Sequence, residues 1–345
     1  MHAIIHTTLL LSISCVVAHS ADNEWASLDR EVRLLSSTLS RDGGLGLSGQ
    51  VGLRYDNNSD LNIGGFSASD ARLAMDGSHG TYGYRVEVDF AGESYLGISD
   101  TDSDGIPDTP SIFMDTLMDA YATFGIGGAI TARMGRFRAS VCDDSDMDEG
   151  DMDHMRHSMI GAQFARHADG MAFSGTMESI SWDLSIMNGF DGTLDELLTA
   201  VRVRLAASEE TSLSLAVIDD ASLQDVGATV ITGNYKAGAL GFGIEYANVA
   251  DTAASTNFHA SNFNTLDFSV PAVGGTTPMC ISATVDVNDD WMLAVRHTDA
   301  DYPAAIDTSS LEITANHGNW QFGLMDGQLA GVDFDYWSVG LNVGF

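Results

Sequence analysis

Large apolar side chains fall on alternate positions through much of this chain, and small or polar ones fill the places between. The last nine residues, Trp337 to Phe345, show it plainly: Trp337, Val339, Leu341, Val343 and Phe345 share one phase and Ser338, Gly340, Asn342 and Gly344 the other. A period of two describes a strand with one apolar and one wet face. Leu45, Leu47, Val51, Leu53 and Tyr55 repeat the pattern, as do Ala71, Leu73 and Met75, then Tyr82, Tyr84, Val86, Val88 and Phe90. No helical stretch is long enough to cover so much apolar surface, so its simplest partner is lipid. The pattern predicts a transmembrane antiparallel β-barrel.

Counting connections tests that reading, because a barrel with both ends on one side of the membrane needs an even strand number and alternating short and long connections. The reading places a long loop between the first two strands, a tight Gly77–Gly80 turn, and a long acidic loop up to about Phe113. The fourth strand ends at Gly125–Gly128, the fifth covers 129–137, and a long excursion lasts to about Gly170. Strands then recur to the carboxy terminus, about 16 in all, which is a porin-like number. Trp182, Trp291 and Trp320 each open a strand on its apolar side at the short-turn end. An interfacial aromatic girdle accounts for that coincidence.

Three segments are expected: a leader over 1–20, a short periplasmic helix over 21–41 and the barrel over 42–345. The apolar run Ile4–Ala18, followed by Ser20, suits a secretory signal. In Glu24–Ser40, Leu28, Val32, Leu35 and Leu39 alternate spacings of four and three. That suits either a short coiled coil joining chains or an isolated amphipathic helix. With 345 residues and no Pro/Ser-rich linker, the rest reads as one unit in a bacterial-type outer membrane.

Charge narrows the function. A formal net charge of −34 excludes a nucleic-acid partner, and Lys236 is the only lysine, so the remaining positive charge is mostly arginine. Arg54, Arg72, Arg85, Arg133, Arg202, Arg204 and Arg296 all fall in the wet phase of their strands. On the lipid face each would cost roughly 2–4 kcal/mol at mid-bilayer, so they belong to the lumen. There they either guide anions or pair with inward acids such as Asp70, Glu87, Asp89, Asp183, Glu245, Asp286 and Glu312.

The segments Asp70–Gly77, Tyr84–Phe90, Met118–Tyr121, Ala132–Phe137, Asp169–Gly175, Trp182–Gly189 and Val201–Leu205, in that order, resemble the phosphate-selective porin O/P family. The resemblance implies a homotrimer of sixteen-stranded outer-membrane channels, with the third loop folded into the lumen and Arg133–Arg138 leading into it. Two features depart from that family. One lysine cannot make a strongly positive pathway, and the third loop carries Asp143, Asp144, Asp146, Asp148, Glu149, Asp151 and Asp153 beside His154 and His157. As a constriction, that run would repel phosphate and attract cations; projecting into the medium, it is a solvated face.

Asp100, Asp102, Asp104 and Asp108, with Gly105, have the spacing of a calcium loop but lack the closing Glu, so the segment fits either weak Ca2+ binding or a plain acidic loop. A disulfide between Cys142 and Cys280 would clip the third loop to the far wall. No cofactor is required and no hydrolase motif is present, so the chain is expected not to be an enzyme. The leading expectation is a porin giving passive diffusion of small hydrophilic solutes or ions. A specific anion or phosphate channel, or an outer-membrane structural protein whose acidic loops gather divalent ions, are the alternatives.

Overall fold

The computed structural model describes residues 45–58, 63–97, 111–148, 151–165, 167–188, 197–220, 226–249, 276–300, 308–329 and 332–345. The leader, the 21–41 segment, the Asp100–Asp108 loop and Glu149 lie outside the described residues.

Sixteen antiparallel strands close on themselves. The first eight are β1 (Gly46–Asn58), β2 (Ile63–His79), β3 (Tyr82–Gly97), β4 (Ser111–Gly127), β5 (Ile130–Arg138), β6 (His167–Met177), β7 (Ile180–Asn188) and β8 (Leu197–Ala206). The rest are β9 (Thr211–Asp220), β10 (Val226–Ala237), β11 (Leu240–Val249), β12 (Met279–Asp286), β13 (Trp291–Ala300), β14 (Thr308–His317), β15 (Trp320–Leu329) and β16 (Val332–Gly344). Each strand pairs with its neighbour in sequence. β1 meets β16 from Gln50↔Gly344 to Asn58↔Tyr336, which leaves no open edge to be satisfied in hydrocarbon.

The alternation sorts side chains between two solvents. Along β13, Trp291, Leu293 and Val295 lie on the outside, whereas Ala294, Arg296 and Thr298 are buried inside. A soluble fold would invert this arrangement. One connection differs from its expectation: β1 and β2 stay paired up to Asn58↔Ile63, so only residues 59–62 join them instead of a long loop. The ladder outlasts the apolar alternation because backbone hydrogen bonds do not require apolar side chains, and Asp56 and Asn58 turn inward.

On the other rim the hairpins are tight. Gly80, Gly128, Gly238 and Gly318 take positive φ there, as the left-handed position of a two-residue turn demands, and Glu178 does so without being glycine, at φ 54°. Near this rim the aromatics face outward. Trp291 stacks on His317 at 4.5 Å, and Phe322 lies between Trp291 and Trp320 at 6.5 and 6.3 Å.

Candidate functional site in the barrel lumen

The described residues between β5 and β6, 139–148 and 151–165, fold into the barrel and carry one short helix, α1 (Met159–Phe164). Ser158 caps it, accepting a hydrogen bond from the Gly161 N–H at 2.8 Å. The same hydroxyl donates to Glu245 on β11 at 2.5 Å, so the cap also ties the helix to the wall.

This segment rests on two different seats. Towards β6–β11, Val141, Cys142, Ile160 and Phe164 are buried against Ala172, Met187, Leu198, Ala200, Ala216, Ile218, Val230, Ala247 and Val249. These wall residues occupy the inward phase, so this part of the lumen wall is an apolar core rather than a wet surface. The sequence reading missed it. The signal was present: in Ile186–Met187, Leu197–Leu198, Val217–Ile218 and Val230–Ile231 both phases are apolar, as befits strands buried on both faces.

Towards β13–β16 and β1 the seat is polar. The Met155 N–H donates to Glu312 at 2.6 Å, and Arg54 donates to the Met155 carbonyl at 2.8 Å. Arg296 donates to the carbonyls of Arg156 and His157 at 2.9 and 3.2 Å and pairs with Glu312 at 2.5 Å. The Arg156 guanidinium donates to Tyr336 Oη at 2.8 Å and lies over its ring at 4.7 Å; Tyr336 in turn donates to Asp56. Asn316 and Gln321 hold the carbonyls of Asp153 and His154 at 2.8 and 3.1 Å.

Six of the seven arginines placed in the lumen by phase are engaged in ion pairs, and the loop acids supply much of the pairing. Arg72 meets Asp148, Asp70 at 2.8 Å and Asp89 at 3.6 Å. Arg202 meets Asp143 and Asp146, the latter at 2.7 Å, and Arg204 reaches Asp143 at 3.3 Å. Arg296 approaches Asp144 at 3.6 Å, Arg54 lies 3.4 Å from Asp56, and Arg85 bridges Asp76, Glu87 and Asp119. Arg133 differs: its guanidinium sits between the Tyr121 and Phe137 rings, 4.9 and 5.1 Å from their centres. Asp151 and Asp153 are exposed.

These contacts set the loop's protonation. Burial disfavours ionisation of Asp148, yet Arg72 and Arg138 outweigh it and hold the carboxyl below its ordinary range. Asp144 is likewise opposed by burial and held low by His157, 3.0 Å away, and by Arg296. Burial and the nearby Arg296 push His154 down to about 4, so its ring is neutral at pH 7.

The proposed disulfide does not form. Both cysteines are buried free thiols. Cys142 is held in a turn in which its carbonyl accepts from the Ser145 hydroxyl at 3.0 Å and its sulfur accepts from the Ser145 N–H at 3.3 Å. Cys280 faces Thr298 Oγ1 at 3.4 Å. Ion pairs and the apolar seat fasten the loop instead.

Open space remains on either side of the loop, towards the short-turn rim. One cavity of about 690 Å³ lies between Asp143–Ser158 and the wall from β6 to β13, and reaches the turns at Glu178 and Glu209–Glu210. The other, about 520 Å³, lies between Asp148–Met152 and β1–β3 and β13–β16, and reaches Gly318, Asn319 and Phe345. Met152 borders both. Such a partitioned lumen can filter by size and fixed charge.

A closed sixteen-stranded barrel with an apolar outside and a loop between β5 and β6 folded inside has the fold of outer-membrane porins, and its lipid-facing belt is built for that membrane. Solved structures agree. The chain is similar to an anion-selective porin from Comamonas acidovorans (12% identity, TM-score 0.58, 88% of this chain and 100% of that one). It is also similar to the outer-membrane channel DcaP of Acinetobacter baumannii (12% identity, TM-score 0.56, 87% and 97%). A loop-deletion form of OmpT, an outer-membrane protein of Vibrio cholerae, matches at 11% identity and TM-score 0.57 over 88% and 99%. No family model and no curated protein matches the chain.

Proposed function

We propose that the protein is an outer-membrane porin through which small hydrophilic solutes or ions diffuse passively, with residues 139–166 as its constriction and the seven inward arginines lining the path. The observation that carries this reading is the loop itself, fastened to opposite walls yet leaving cavities of about 690 and 520 Å³ beside it. A leader sequence at 1–20 and assembly as a homotrimer complete the proposal. Similar proteins include one described in trimer form.

Phosphate selectivity is not adopted. Six of the seven arginines already have acidic partners, and Lys236 stands alone as a lysine. Purified protein in planar bilayers tests the channel reading: stable stepwise conductance, in groups of three if the assembly is trimeric, is expected. A silent bilayer containing folded protein would instead favour the anchoring role, with the barrel stoppered by its own loop.

A further inference from the structure

The smaller cavity is distinguished by carboxamides. Asn316 on β14, Gln321 on β15, Asn342 on β16 and Gln50 on β1 all border it. Strand register sets them in one staircase across four neighbouring strands. Asn316 lies directly opposite Gln321, Gln321 also faces Gly340, two residues before Asn342, and Asn342 faces Gly52, two residues after Gln50. Side chains so related are direct or diagonal neighbours on one face of a sheet. Gly344 stands opposite Gln50, so three of the four amides have a glycine on one flank, which leaves the space beside them open. A Cβ built on Gly340 or Gly344 would meet nothing nearer than 3.7 Å.

These amides have hydrogen-bonding capacity to spare. Asn316 and Gln321 donate to the loop carbonyls of Asp153 and His154 at 2.8 and 3.1 Å, which leaves their own amide oxygens as acceptors. Among the described residues the side chains of Gln50 and Asn342 make no hydrogen bond, and none of these unpaired amide atoms is closed off from solvent. A carboxamide offers two donors and an acceptor without carrying charge. The charged side chains on the same lining are engaged with one another: Arg72 with Asp148 and, at 3.8 Å, with Glu87, and Arg85 with Glu87. Asp151, on the exposed edge of the loop, is the remaining charged side chain there. A passage lined in this way rewards a solute that gives and accepts hydrogen bonds at several points and carries no charge.

We infer that the cavity between the loop and β1–β3 and β13–β16 is a path for small uncharged polyhydroxylated solutes, polyols and monosaccharides, with Gln50 and Asn342 as the specificity-determining contacts and Asn316 and Gln321 as supporting acceptors. A run of hydroxyls exchanges water for one amide after the next, so each contact is weak and passage stays passive. This rests on the channel reading and supplies its solute class.

Uptake into proteoliposomes of labelled xylitol, a neutral polyol, and of labelled xylonate, its carboxylate counterpart, tests it. The native protein is expected to admit xylitol faster, because xylonate meets no unpaired cation on this lining. Gln50→Leu with Asn342→Leu, which keeps similar bulk and removes both amides, should lower the ratio of xylitol uptake to potassium chloride conductance by about 3-fold or more, as loss of two hydrogen-bond contacts would. Asn342→Leu alone should lower it by a smaller step. Ser282→Ala, on the lining of the larger cavity, should leave the ratio alone. A ratio unmoved by the leucines, an equal fall with Ser282→Ala, or faster native entry of xylonate than of xylitol overturns the inference and leaves the channel reading standing. Native protein that neither conducts nor admits either solute removes the channel reading itself.

Discussion

The two seats of the lumen loop do the same job by opposite chemistry. On β6–β11, Ile160 and Phe164 sit in a patch that is apolar on the inside of the barrel as well as the outside, so the loop is held by exclusion of water. Burying each such side chain contributes about 1.5–3 kcal/mol, needs no directional partner and is nearly insensitive to pH and salt. On β13–β16 and β1, the loop is held through named atoms: Glu312 and Arg54 on the two sides of Met155, and Arg296 beneath Arg156 and His157. There, loss of one partner strands another, because a buried charge without its counterpart is expensive. The first seat supplies grip and the second supplies position.

The comparison is broken most severely at the apolar seat. Ile160→Asp would bury a carboxylate with nothing to pair it, and the loop is expected to leave the wall. Proteolysis within 139–166 and a rise in single-channel conductance with rapid flicker would report it. Phe164→Ala, which only leaves a cavity, should cost about 3–5 kcal/mol. Retention of native proteolytic resistance by both variants would refute the apolar grip.

Glu312→Ala comes next. It strips Arg296 of its closest acid and the Met155 N–H of its acceptor, a loss of about 3–5 kcal/mol expected from breaking a buried pair. The paired change Arg296→Met with Glu312→Leu sharpens the contrast, since replacing both charges with apolar groups is often nearly neutral. Thermal unfolding in detergent should therefore rank the double variant above the single one.

Acid should act on the charged contacts of the loop rather than on its apolar packing, and more weakly. Asp144 and Asp148 are held below their ordinary value of 3.8, so their contribution is fully present above that value and fades as pH falls through the lowered ones. As read by conductance and loop protection, the contribution of these two acids should be alike at pH 7 and pH 5 and be lost only below about 4. Asp146, pushed up to about 6 by burial, takes up its proton between pH 7 and 5 and loosens its own contact with Arg202 there. The ordering is therefore tested with Asp146→Asn, in which a remaining transition between pH 5 and 7 would contradict it.

The smallest effect concerns the cysteines. Cys142 and Cys280 should resist a maleimide reagent in the folded protein, both should be alkylated after unfolding, and electrophoretic mobility should not respond to reductant. Burial pushes the Cys142 thiol's pKa well up, which further suppresses its reactivity.

Much of this was legible in the residues. The period-two alternation located every strand from β5 onward to within a few positions, because lipid outside and polar groups inside force adjacent residues to differ. The inward phase of all seven arginines was likewise fixed by strand parity, and cross-strand partners such as Arg202↔Asp183 and Arg296↔Glu312 agree with it. Where parity failed as a guide, the cause was local. β2 began earlier than its apolar pattern did. The doubled apolar pairs of β7–β10 pointed to a covered inner wall that the assumption of a wet lumen hid.

The sequence by itself determined that the chain is a barrel and which face meets lipid, since both follow from neighbour-to-neighbour periodicity; entry of the third loop into the lumen was implied only by the family resemblance. Only the tertiary structure decided what that segment does once inside. Closing the cylinder brings residues more than a hundred positions apart, such as Met155 and Glu312, within hydrogen-bonding distance. Charge cancellation depends on that proximity and not on order along the chain, so composition alone could not tell which acids would be spent on arginines.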